Sequence, residues 1–166
     1  MMTIQKSLLV LVAFIFILPA VGLSRPLGEG DQLQPFTATD MNGQHVDLAE
    51  SLGRQPIMLV FWASWCPHCK TEVPKINALF AKYRNRGMYF LGINVGQNDS
   101  QRRASHFITK TGMAYPVIYD NDHVLGQEYG VQGVPTVLIA NRQGRIVFRG
   151  FGVPDITEKQ FIQLSR

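Results

Sequence analysis

The sequence predicts an α/β fold: a central mixed sheet flanked by helices, with a β-hairpin extension ahead of it and an extra strand–helix unit inserted late in the chain. Three observations carry this. The apolar run Ile57–Trp62 has the length of a strand buried on both faces, and it passes into a segment where Val73, Ile76, Leu79, Phe80 and Tyr83 recur at helical spacing. The same alternation of buried strand and amphipathic helix repeats through residues 88–112, which argues for parallel strands joined by right-handed crossovers. The last third instead brings two strands together around a turn at 141–144, adding an antiparallel edge. The 166 residues suit one domain of ordinary size plus a targeting segment.

Lys6 precedes a charge-free apolar run over residues 7–18, and small residues follow at Ala20 and Gly22. A basic start, an apolar stretch and an Ala-X-Gly spacing make residues 1–24 a secretory signal peptide. The other reading is an uncleaved membrane anchor through residues 7–23, a run only slightly short of the ~20 residues a span needs. Both keep Lys6 cytoplasmic and export the rest, to the periplasm, soluble or held at the inner membrane. No cysteine follows the apolar run, which sets aside a lipid anchor. The formal charge is +4, and removing Lys6, the one charged residue before Arg25, leaves +3. The basic residues are spread along the chain, so nothing points to nucleic acid.

Residues 25–34, rich in Gly, Pro and charge, read as a linker to a domain over 35–166. Two short alternating segments flank Asn42-Gly43, a strong hairpin signal, with His45 as a solvent-facing strand residue. Residues 49–55 form a short turn into the buried strand. The helix after it carries Pro74, which cannot donate to the Lys70 carbonyl and predicts a kink; it ends at Asn85-Arg86-Gly87. Residues 88–95 are a second apolar strand. Asp99-Ser100 cap a helix with Ala104, Phe107, Ile108 and Thr111 on its apolar face and His106 pointing outward; Gly112 stops it. Residues 115–119 make a third strand, and Asp120-Asn121-Asp122 a turn that lacks the closing glutamate of a calcium loop. A short helix runs from His123 to near Gly130. A strand over 136–140, the turn, and a return over 145–151 form the late hairpin. Asp155-Ile156-Thr157-Glu158 caps a last helix bearing Phe161, Ile162 and Leu164.

Both cysteines of the chain, Cys66 and Cys69, lie where the first buried strand turns into its helix. Pro67 occupies the first helical position, where a missing N–H costs nothing. Cys66 therefore sits at a helix N-terminus, where unpaired N–H groups and the helix dipole stabilise a thiolate. A structural cross-link is a weak alternative, because so short a loop gains little. Zinc needs four ligands, and neither a second cysteine pair nor a ligand spacing among His45, His106 and His123 provides them. An exported chain with one closely spaced pair is suited to cycling that pair between dithiol and disulfide. Neither cofactor nor metal is expected.

With Trp65-Cys66-Pro67-His68-Cys69 after a buried strand and Gly133-Val134-Pro135-Thr136 opening a later one, the chain resembles the thioredoxin superfamily. More narrowly it resembles the exported or membrane-tethered thiol–disulfide oxidoreductases of the TlpA/ResA type. The Asn-Gly hairpin, Phe61-Trp62-Ala63-Ser64-Trp65-Cys66, Glu72-Val73-Pro74, Asn94-Val95-Gly96 and the extra strand–helix unit add to the likeness, which covers the chain from about residue 32 onward. The resemblance implies a thioredoxin fold and a reductant of protein disulfides. Cys66 would be the exposed nucleophile and Cys69 the resolving thiol. Glu72 would manage the proton of the buried sulfur, leaning back toward it. Trp65 would shield the pair. Pro135 would be cis, leaving the Val134 backbone to pair with the substrate chain. Implied partners are exported proteins with thiols or disulfides, in settings such as cytochrome c maturation, and a membrane redox protein that recycles the cysteines.

Two positions depart from the pattern. Val60 stands where thioredoxin carries a buried acid, and Pro67-His68 is the pair of DsbA-type oxidants. A histidine there should favour the Cys66 thiolate and make the disulfide more oxidising, so a dithiol oxidase is the alternative direction. A peroxiredoxin-type peroxidase would need a Pro-X-X-X-Thr pattern before its cysteine, which is missing. A Sco-type copper-delivery protein would have three residues between its cysteines, not two.

Overall fold

The computed structural model describes residues 25–166; the signal or anchor expected over 1–24 lies outside the described residues. In chain order the elements are β1 (Thr37–Thr39), β2 (His45–Asp47), β3 (Ile57–Trp62), α1 (Pro67–Tyr83), β4 (Tyr89–Asn94), α2 (Gln101–Thr111), β5 (Val117–Tyr119), α3 (Val124–Glu128), β6 (Thr136–Ala140), β7 (Ile146–Gly150) and α4 (Glu158–Leu164). They build a mixed five-stranded sheet of order β5-β4-β3-β6-β7, plus the separate hairpin β1-β2. Every residue of β3 is buried, as its unbroken apolar sequence requires. It pairs in parallel with β4 and antiparallel with β6, so Leu59 lies between Leu91 and Leu138. The extra unit is β5 and α3, between α2 and the Val-Pro turn.

Helices pack on this sheet through aromatic side chains. Trp62 stacks on Phe107 of α2 at 4.8 Å between ring centroids, and Tyr83 of α1 stacks on Phe161 of α4 at 4.4 Å. The Tyr83 hydroxyl donates to the Ile156 carbonyl at 2.9 Å, so this fully buried ring keeps its polar end satisfied. Pro74 lies inside α1, which continues through it to Tyr83.

The structure departs from expectation in three local places. The third strand begins at Val117 rather than residue 115, after Pro116, which has no N–H for a ladder. The helix from His123 opens instead as a 3-10 turn over Asn121–His123, with Asp122 and His123 in the left-handed region, and only then becomes α3. The turn expected over 49–55 begins one residue earlier, as a 3-10 turn at Leu48–Glu50.

Residues 25–34, expected as a linker, are docked. The Gly30 N–H donates to the Ile146 carbonyl and the Ile146 N–H to the Asp31 carbonyl, both at 2.8 Å. Leu33 is buried in the core. Glycine and proline in this stretch hide it from periodicity arguments, yet its backbone pairs with the first residue of β7, Ile146. On the opposite flank the hairpin loop does the same for β5: Asp40 bridges Ile118, and the Met41 N–H donates to the Val117 carbonyl at 2.8 Å. No helix among the described residues is long and apolar enough to cross a membrane.

Candidate active site

Strands β3 and β4 end side by side, the Val95 N–H donating to the Trp62 carbonyl at 3.0 Å. From there the chain turns through Ala63, Ser64 and Trp65 to Cys66, the N-cap of α1. Cys66 has extended backbone angles, and its Sγ accepts the Cys69 N–H at 3.1 Å. Pro67 is the first helical residue, as predicted. A serine or aspartate oxygen usually fills this capping role; here a sulfur does, which is the arrangement that favours a thiolate. Cys66 and Cys69 are joined as a disulfide with Cα atoms 5.3 Å apart.

The peptide bond Val134–Pro135 is cis, and the Val134 carbonyl oxygen lies 3.5 Å from the Cys66 Sγ. Pro135 directs the chain into β6, while the Thr136 hydroxyl pins the turn by donating to the Gly133 carbonyl at 2.6 Å. The Val134 N–H takes no hydrogen-bond partner among the described residues. The residue whose carbonyl approaches the Cys66 sulfur thus also carries an unbonded backbone donor.

Other expected site residues fall less simply. Cys66, expected to be exposed, is only 3% accessible, the same as Cys69. Trp65, expected to shield the pair, is half-exposed, with its indole N–H donating to the Gln97 carbonyl at 3.0 Å. His68 is exposed on the first turn of α1. Glu72, expected to lean toward the buried sulfur, instead accepts the Val153 N–H at 2.7 Å and the Lys75 ammonium at 2.8 Å. Burial pushes its carboxyl up, but the bonds from Lys75 and Val153 outweigh this and hold it below the usual range. Gly152 lies against this carboxylate, where a Cβ would stand 3.3 Å from the Glu72 Oε2.

The AhpC/TSA family model matches residues 30–149, which include both cysteines and the cis-proline turn. The chain belongs to the AhpC/TSA family. Within it, the chain is similar to the thiol-disulfide oxidoreductase ResA of Halalkalibacterium halodurans, 28% identical over 82% of this chain and 77% of the relative. ResA of Bacillus subtilis is 29% identical over 73% of this chain, a match spanning 66% of that relative's length. Among solved structures, a thiol:disulfide interchange protein DsbE from Chlorobium tepidum superposes with a TM-score of 0.72 at 26% identity, covering 83% of this chain and 98% of that one. A protein disulfide isomerase structure from Bacteroides thetaiotaomicron gives 0.68 at 26% identity, over 84% and 89%. Fold, cysteine pair and relatives together place this AhpC/TSA member among the thiol–disulfide oxidoreductases of thioredoxin fold.

Two features of this AhpC/TSA site escape a reading of the sequence. One is Asp99, whose side chain is fully buried next to the active-site turn. It accepts the Ser64 N–H and hydroxyl at 2.6 Å each, the Asn94 amide at 2.9 Å and the Ser100 N–H at 2.8 Å. Its place before a helix cap was the visible signal, and that points to α2 rather than to the turn before Cys66. The other is a groove of about 660 Å³ between the start of α1 and the outer face of α2, reaching Cys66. Basic residues that look dispersed in the sequence gather on it: Lys70 from α1 with Arg102, Arg103 and Lys110 from α2.

Proposed function

We propose that this chain is an exported thiol–disulfide oxidoreductase that reduces disulfides of other exported proteins with the Cys66/Cys69 couple. The observation that carries the reading is the cysteine pair at the N-terminus of α1, with the Cys66 sulfur as N-cap and facing the cis Val134–Pro135 turn. In the reduced form the Cys69 N–H and the dipole of the 17-residue α1 favour a thiolate on Cys66. That thiolate attacks one sulfur of the partner's disulfide, forming a Cys66–partner bond and releasing one partner thiolate. The Cys69 thiolate then attacks the Cys66 sulfur, closing the internal disulfide and releasing the second partner thiolate. Two electrons pass to the partner, and a membrane redox protein returns the pair to the dithiol.

In this scheme the free Val134 N–H and the Pro135 turn hold the partner's backbone beside the sulfurs, Trp65 shields them, and Pro67 starts the helix that activates Cys66. Glu72 takes the Cys69 proton only after loosening its bonds to Val153 and Lys75; while they hold, it ties α1 to the 152–153 loop. Residues 1–24 direct export, by cleavage or by remaining as a tether through 7–23. Cytochrome c maturation is one setting that supplies such partners.

The test is trapping combined with a potential. Cys66→Ser should abolish turnover of a dithiol substrate, and Cys69→Ser should accumulate mixed disulfides visible on non-reducing gels. Trapping by Cys66→Ser alone would reverse the two roles. A reduction potential near that of thioredoxin, about −270 mV, supports the reductant; one near that of DsbA, about −120 mV, makes the protein a dithiol oxidase. His68→Ala should shift the couple toward the reducing side if the imidazole stabilises the Cys66 thiolate.

A further inference from the structure

Resting on that reading, we infer that the partner presents an acidic segment of polypeptide next to its reacting cysteine, and that the groove along α2 receives it. Cys66 itself lines the groove, so whatever occupies it lies against the residue whose sulfur is exchanged. Lys70, Arg102, Arg103 and Lys110 are all exposed, and no carboxylate lines the groove. Lys70, Arg102 and Lys110 enter no ion pair among the described residues, and Arg103 alone has one, at 3.3 Å to the buried Asp99. Four cations against that single carboxylate leave a local surplus of three positive charges.

The placement of these charges is unfavourable for the helix that bears them. Arg102 and Arg103 lie in the first turn of α2, which has no acidic residue, where the helix dipole disfavours cations. Local stability would put Asp or Glu there. Carboxylates on a bound segment would supply that compensation and would be steered toward Cys66 before contact. Trp65, Pro67 and Phe107 line the same groove and give the segment's aliphatic stems an apolar surface. Val134, with its unbonded N–H, and Phe151, 80% exposed and beside Gly133, lie outside this groove. The acidic residues are therefore required on one side of the partner's cysteine only.

Symmetric disulfide-linked dimers of a synthetic single-cysteine peptide test this, with four Glu, four Gln or four Lys on one side of the cysteine. Each turnover oxidises the Cys66/Cys69 dithiol and reduces one dimer to two peptide thiols, counted by chromatography. With the full chain in a non-ionic detergent at low salt, the Glu peptide should react about tenfold faster than the Lys peptide, a difference that disappears near 1 M NaCl. Arg102→Glu with Lys110→Glu should invert the order, whereas Arg54→Glu with Arg142→Glu, an equal charge change on surface turns away from the groove, should preserve it. Equal rates for the three peptides overturn the groove assignment while leaving the oxidoreductase standing. Preference surviving the groove variant, or lost in the distant one, also overturns it. So does a groove variant that impairs only binding to phosphatidylglycerol vesicles, which would make the groove a lipid contact. Failure to react with any peptide in either redox direction would instead remove the oxidoreductase reading.

Discussion

Asp99 holds the turn before Cys66 in place, and its charge is the means. Burial pushes its carboxyl up, but donors from Ser64, Asn94 and Ser100 more than offset this and keep it below the ordinary carboxylate range. A group whose folded pKa is lowered stabilises above its unfolded value, about 3.9, and that contribution fades as pH falls through the lower folded value. Asp99 should therefore stabilise fully near neutrality and contribute to unfolding only in strong acid. Asp99→Ala leaves the Ser64 N–H and the Asn94 amide without an acceptor, a loss of about 2–4 kcal/mol by urea unfolding. Its stability should also depend less on pH below about pH 4 than that of the parent. A variant within about 0.5 kcal/mol of the parent would remove Asp99 from this role. Cys66 and Pro67 were legible from the sequence because each acts through its own residue type on the adjacent backbone, whereas the cis Val134–Pro135 turn was legible only through the family resemblance. Asp99 was not, because Ser64 lies 35 residues away and only the meeting of the β3 and β4 ends brings them together. The same holds for Glu72, whose acceptor position toward Val153 spans 81 residues.

Among the elements, those with a strong period were readable: β3 and β4 from unbroken apolar runs, and α2 from its stripe and Gly112 stop. Short pieces set by tertiary contact were not, as the start of β5 and the 3-10 turn at Asn121–His123 show. α4 lies between these cases. At seven residues it is too short to persist alone, so its caps and its packing must hold it. Thr157 and Gln160 form a complete capping box: the Gln160 N–H donates to the Thr157 hydroxyl oxygen at 3.3 Å, and the Thr157 N–H to the Gln160 side-chain oxygen at 2.8 Å. Thr157→Ala should cost about 1 kcal/mol, with the loss read from thermal unfolding and the Phe161–Tyr83 stack loosened in near-ultraviolet dichroism. An unchanged melting temperature would mean that packing alone sustains the helix.

For the whole molecule, the boundary drawn from composition falls too late. Residues 25–34 belong to the folded unit through Leu33 and the β7 edge, and Arg149 reinforces the strap by donating to the Leu27 carbonyl at 2.7 Å. Leu33→Ala should cost about 2–5 kcal/mol if the strap is integral, and nearly nothing if it is a tether. Light scattering should show association rising with concentration as the strap detaches and bares β7. The hairpin loop pairs with β5, and the strap pairs with the first residue of β7, Ile146. A client that grew the sheet, as many peptide-binding domains allow, would therefore meet one of these segments at either flank. In the proposed exchange its main-chain foothold is the Val134 N–H. Under the proposed exchange, the visit then lasts as long as the bond between two sulfur atoms, and departure requires no strand to be peeled away.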